Sequence, residues 1–131
     1  MKKTIFSILV IATIVLAVAC GGNNSPKAVA TKYVTALQKG DKETAADCFH
    51  YTGTEEEKAQ QRAEMLSFVE KGIESLQKDD GIKSFKVTNV EENGDKAVVY
   101  GTVTYGNGKT DVNDEIPTVK EDGKWYIDIN K

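Results

Sequence analysis

DDGIKSFKVTNVEENGDKAVVYGTVTYGNGKTDVNDEIPTVKEDGKWYIDI, residues 79–129, decides the fold. Before Asp79 the apolar residues recur near every fourth position; after Gly81 they recur near every second, the side-chain period of a strand. Phe85, Val87 and Val90 mark a first strand, residues 97–105 a second, residues 112–119 a third, and Trp125, Ile127 and Ile129 a fourth. Between them stand Asn93-Gly94, Asn107-Gly108 and Asp122-Gly123, dipeptides that accept the positive φ of a tight hairpin. Three successive hairpins predict a four-stranded antiparallel meander. Pro117 cannot donate to a ladder, so it belongs at an edge-facing position or a bulge, and a bulge would curve the sheet. Alternation turns Trp125 to the core and Tyr126 outward.

Working back from the sheet, three helices precede it. Ser25-Pro26 starts the first, with Ser able to accept from a free N–H and Pro where no donor is missed. Val29, Tyr33 and Leu37 form its apolar stripe, and Gly40 ends it. Asp41 caps a short second helix, DKETAADCF, which buries Ala45, Cys48 and Phe49. Thr54 and Glu57 form a capping box for the third and longest helix, and Glu55, Glu56 and Glu57 complement its dipole. Leu66, Val69, Ile73 and Leu76 are its expected buried stripe, widened by Met65 and Phe68; Gly72 marks close packing or a bend. Helices first and a curved antiparallel sheet second is an α+β order, with the long helix expected against one face of the sheet.

Further back, Lys2 and Lys3 precede an apolar run over residues 5–19, shorter than the 18 to 20 or so residues that a spanning helix needs. This is an export signal, and Ala17-Val18-Ala19 supplies the small residues of a cleavage site. LAVAC also resembles a bacterial lipobox, with Ala17 where Leu is usual; the resemblance implies that Cys20 carries a diacylglycerol and becomes the new N-terminus. Gly21-Gly22-Asn23-Asn24-Ser25 then reads as a flexible tether. The expected organisation is a signal at 1–19, a lipidated Cys and tether at 20–25, and one domain at 26–131. The chain has only Cys20 and Cys48, so the alternative to acylation is a bridge between them.

The chain carries 17 basic and 20 acidic side chains, and losing Lys2 and Lys3 with the signal leaves 15 against 20. A mature charge of about −5 gives no basic patch for nucleic acid and no polybasic grip on anionic lipid. Membrane attachment is therefore expected through the lipid on Cys20. Gly21 is not an inner-membrane retention Asp and GGNN is not an acidic surface-export run, so an outer-membrane anchor facing the periplasm is expected.

SPKAVATKYVTALQKGDKETAADCF and the closing DGKWYIDI resemble the nuclear transport factor 2-like domains (cystatin-like superfamily) of bacterial lipoproteins, of the DUF4878 type. The resemblance rests on Ser25-Pro26, Tyr33, the hinge from Leu37 to Asp41, Ala45-Ala46, Trp125 and Ile127. It implies a conical α+β fold whose sheet curls around the long helix and leaves a pocket at the open end. Relatives include ketosteroid isomerase and dehydratases, besides proteins that only bind or assemble.

Tyr33, Tyr51, Tyr100, Tyr105 and Asp114 are the candidate pocket-lining residues, and none stands in a motif that defines an enzyme. Tyr100 and Tyr105, an odd number apart, are expected on opposite sheet faces. Cys48 and His50 would point about 200° apart on a helix, so they form no metal or thiolate pair. Cys48 reads as a small buried apolar group and His50 as a structural or surface residue. The acidic clusters fall at a helix start, a helix end and a hairpin, whereas calcium takes about six to eight oxygens around a tight loop. No metal and no cofactor is expected. A non-catalytic module that binds a small apolar ligand or a peptide, or that docks a partner such as a second copy, is the favoured function; an isomerase or dehydratase acting on an apolar small molecule is the alternative.

Overall fold

A computed structural model describes residues 23–129; Cys20 and the expected signal lie outside the described residues. Three helices, α1 (Pro26–Lys39), α2 (Lys42–Asp47) and α3 (Glu55–Gln77), precede four strands, β1 (Ile82–Asn93), β2 (Lys96–Tyr105), β3 (Thr110–Glu121) and β4 (Lys124–Ile127). The strands form one antiparallel sheet in the order β1-β2-β3-β4. It is a curved meander preceded by helices, as expected.

The helix ends follow the local chemistry. Ser25 accepts from the Ala28 N–H at 3.1 Å, Pro26 opens α1, and Gly40 at φ 76° donates to the Ala36 and Leu37 carbonyls. Asp41 caps α2 through the Thr44 N–H. Thr54 and Glu57 exchange bonds of 2.8 and 3.1 Å at the start of α3. The second helix stops at Asp47, short of the expected Phe49, because the free side of β4 takes over the backbone. Ile127 N–H donates to Cys48 O at 2.7 Å, His50 N–H donates to Ile127 O at 2.8 Å, and Phe49 bridges Ile127.

The helix inside the curved sheet is α1, which contacts all four strands; α3 packs on α2 and touches α1. This corrects the expectation that the long helix lies on the sheet. The physical reason is side-chain size and polarity. On α1, Val29, Ala30, Val34 and Ala36 are buried small groups that let the helix approach closely. On α3 only Val69 is buried; Leu66, Ile73, Leu76 and Met65 are half-buried, and Phe68 is 67% exposed. Arg62 to Asp47 at 2.6 Å and Lys42 to Glu70 at 3.3 Å clip α3 to α2. A side chain at Gly72 would meet nothing within 4 Å, so the position is not one of close packing.

Two bulges on β1 explain its irregular spacing. Extra residues at Lys83 and Thr88 shift the register, so that Phe85, Val87 and Val90 all face α1 despite the three-residue step. A third irregularity lies on β3, where Asn113 adopts φ 58° and Val112 is turned outward, 67% exposed. Pro117 is not the bulge. Its carbonyl accepts from Asp128 N at 2.9 Å, just past the end of β4, and its absent donor points to that same side. The fourth strand accordingly ends at Ile127, and Ile129 is exposed.

The core divides in two. Val29, Cys48, Phe49, Val69, Trp125 and Ile127 form the larger cluster, and Val34, Ile82 and Val103 the smaller. Tyr33 touches both, standing edge-on to Phe49 at 5.2 Å. The fold begins before Pro26: Asn23 accepts from Trp125 N–H at 2.9 Å and returns an amide bond of 2.7 Å to Trp125 O. Residues 23–25, read from sequence as tether, are thus fastened at Asn23 to the edge of β4.

Candidate functional site

The smaller core cluster leaves a half-open recess of about 250 Å³ between the C-terminal half of α1 and the sheet. Its walls are apolar: Val34 and Leu37 from α1, Leu76 from α3, and Ile82, Phe85, Val103 and Ile116 from the strands. Tyr33, Tyr105 and Asp114 supply its polar side chains, and Glu115, opposite Tyr100 in the register, borders it.

Two glycine contacts shape this end. The Phe85 ring lies across Gly101, whose missing side chain gives it room. Gly106 lies against Asp80 and donates to Gly81 O at 2.9 Å, while Asn107 binds Asp79 through both its backbone N–H, at 3.1 Å, and its side-chain amide, at 3.0 Å. The tip of the β2–β3 hairpin is thereby stapled to the end of α3, where Asp80 and Gly81 take φ 64° and 75°.

The bulge at Asn113 assembles the acidic side of the recess. Residues 111 and 114 are three apart and would lie on opposite faces of a regular strand. The extra residue instead pairs Asp111 with Val103 and Asp114 with Gly101, two inward positions of β2. Tyr105 donates to Asp111 Oδ2 at 2.7 Å. That bond, with burial and the nearby carboxylates, pushes the Tyr105 hydroxyl up to about 12, so it stays a donor. Desolvation, then the Asp111 charge, raises Asp114 above the usual carboxylate value. No described residue donates a hydrogen bond to Asp114 or forms an ion pair with it. Burial likewise raises Tyr33, whose hydroxyl makes no hydrogen bond to a described residue.

Of the five residues expected to line a pocket, Tyr33, Tyr105 and Asp114 come together here. Tyr51 does not: it packs beside the larger cluster and donates to Ala46 O at 2.6 Å. Tyr100 does not either, because its strand parity places it on the outer face, where it donates to Glu91 at 3.1 Å. Asp111 went unread because a regular strand does not align it with Asp114, and Phe85 was read as a strand marker and not as lining. The signal for Asp111 was Asn113, a residue type that tolerates the left-handed region.

The cysteine and histidine positions are elsewhere. Cys48 is fully buried, donates to Thr44 O at 3.3 Å, and its thiol is pushed by burial to about 11. His50 pairs with Glu121 at 2.6 Å beside Tyr126. Among the described residues no group of three His, Cys, Asp or Glu side chains is arranged to hold a metal ion, and no helix is long and apolar enough to cross a membrane.

No curated protein matches the chain. Among solved structures, a Campylobacter jejuni protein described as an NTF2-like transpeptidase superposes with a TM-score of 0.68 at 19% identity, covering 80% of this chain and 98% of its own. A chain named as an NTF2 with five substitutions gives 0.52 at 17% identity, covering 77% and 90%. A Mycobacterium tuberculosis protein of unknown function gives 0.50 at 18%, covering 88% and 72%. At such identities these likenesses show the fold alone. The model of a domain of unknown function, DUF4878, matches residues 18–128. With α1 held inside a curved four-stranded meander, the chain belongs to the DUF4878 family and has the NTF2-like α+β fold.

Proposed function

We propose that the chain is a bacterial envelope lipoprotein, cut before Cys20 and held by acyl chains on that residue in the outer membrane, facing the periplasm. Its domain is a non-catalytic module that binds a small apolar molecule or a peptide side chain. The apolar-walled recess at the end of α1 carries this reading. Its volume of about 250 Å³ is below the several hundred Å³ usual for drug-sized ligands, so the occupant is small. The buried Cys48 supports the lipid, since a bridge to Cys20 would require opening the core around it. Two residues separate Cys20 from Asn23, so the three-residue step between them reaches about 10 Å at most and the domain rides close to its anchor.

Two measurements test the two halves. Intact mass of the processed protein should show acyl chains on Cys20; an unacylated mass with a Cys20–Cys48 bridge refutes the anchor. A thermal-shift panel of short alcohols, fatty acids, amines and peptides should raise the melting temperature for at least one class; a flat response to all refutes the ligand.

A second reading is proton-transfer chemistry of the isomerase or dehydratase type, favoured by one observation: Asp114, a carboxyl raised by desolvation, lines the recess beside Tyr105. It predicts Asp114-dependent exchange of the α-proton of a small ketone in D2O. The same exchange rate in Asp114→Asn removes this reading.

A further inference from the structure

We propose that the recess selects a small organic cation, an ammonium or guanidinium group carried on an apolar body, with the charged head at Asp114 and the body against Leu37, Ile82 and Val103. This rests on the ligand-binding reading above and adds the chemical class of the ligand.

The cavity is lopsided. One side is hydrocarbon from α1, β1 and β2, where an apolar body loses water contact favourably. The other side carries the carboxylate of Asp114, with Asp111 adjacent and already engaged by Tyr105. Lys109, at the tip of the β2–β3 hairpin, pairs with Asp79 at 3.6 Å, and no described cation forms an ion pair with Asp111 or Asp114. Asp114 has no donor among the described residues and sits against Asp111, so a ligand bringing positive charge and N–H donors relieves both the repulsion and the unmet acceptor. A carboxylate ligand would add a further negative charge beside two existing ones. A neutral ligand would fill the walls and leave the charge of Asp114 without a counter-ion. The Tyr33 hydroxyl, also without a hydrogen bond to a described residue, is a further polar group in the lining.

The test uses the protein as processed by the cell, in a non-ionic detergent, titrated by calorimetry with hexylammonium, hexanol and hexanoate at matched pH and low salt. Hexylammonium should bind about tenfold more tightly than hexanol, and hexanoate more weakly than either. Asp114→Asn should remove most of the ammonium advantage and leave hexanol affinity unchanged. Val103→Trp, which fills the cavity, should abolish binding of all three; circular dichroism checks that it folds, and Val103→Phe serves if it does not. Hexanol or hexanoate binding as tightly as hexylammonium overturns the cation proposal while leaving a ligand site. An unchanged hexylammonium preference in Asp114→Asn overturns it also. Binding of none of the three overturns the ligand reading together with it.

Discussion

The contact between Gly101 and Phe85 sets the shape of the recess at the scale of one residue. A methyl group at position 101 would run into the Phe85 ring and approach Lys86 O to 3.0 Å. Gly101→Ala should cost about 1–3 kcal/mol by overpacking, read as a fall in the urea midpoint without a change in slope. An unaltered midpoint would mean that the ring moves freely. Asp114 gives a prediction with a definite sign. A carboxyl raised above its unfolded value holds its proton more tightly in the folded chain, so ionisation costs stability. That cost is absent below the usual carboxylate range and complete once pH exceeds the raised value. Asp114→Asn should therefore melt above wild type at neutral pH, with the difference closing toward about pH 3. A difference independent of pH would place its cause elsewhere.

At the scale of elements, the placement of α1 and α3 explains why position 72 is free. A methyl group added at Gly72 would meet nothing within 4 Å, and the residue lies in an exposed stretch of α3, so its cost is purely conformational. Gly72→Ala should stabilise the protein by about 0.5–1 kcal/mol in thermal or urea unfolding. Destabilisation would show that α3 needs a small residue there against another surface. Caps, hairpin turns and helix order were legible in the sequence because they depend on residues within four positions of one another. Ser25, Gly40, the Thr54–Glu57 box and the three turn dipeptides each act locally. Which helix enters the sheet was not legible, since Val29 to Ala36 and Leu66 to Leu76 are both apolar stripes and differ in the size of their flanking groups. The Asn113 bulge was not legible either: period-two reading separates Asp111 from Asp114, and only the register of β3 on β2 brings them together. Asp111 was hidden by that one residue, whereas Asp114 was read as lining.

Across the whole molecule, the Asn23–Trp125 pairing and the recess lie at opposite ends of α1. Asn23 pairs with Trp125 beside the start of the helix, while Val34 and Leu37 line the recess near its end. An α-helix rises about 1.5 Å per residue, so some 15 to 20 Å separate the two. A lipid on Cys20 would hold the β4 edge toward the bilayer and leave the recess facing away from it. Asn23→Ala removes the side-chain bond to Trp125 O and should cost about 0.5–1.5 kcal/mol, with faster hydrogen exchange at the Trp125 amide. Unchanged exchange would show that the backbone bond from Trp125 N–H to Asn23 O holds this edge without the side chain. The central claim is that the end of α1 and the sheet enclose a working binding site. Amide chemical-shift mapping of the processed protein during titration with hexylammonium tests it most directly. Saturable shifts at Leu37, Ile82, Val103 and Asp114 are predicted; shifts confined to the outer sheet face around Tyr100, or none that saturate, would contradict it.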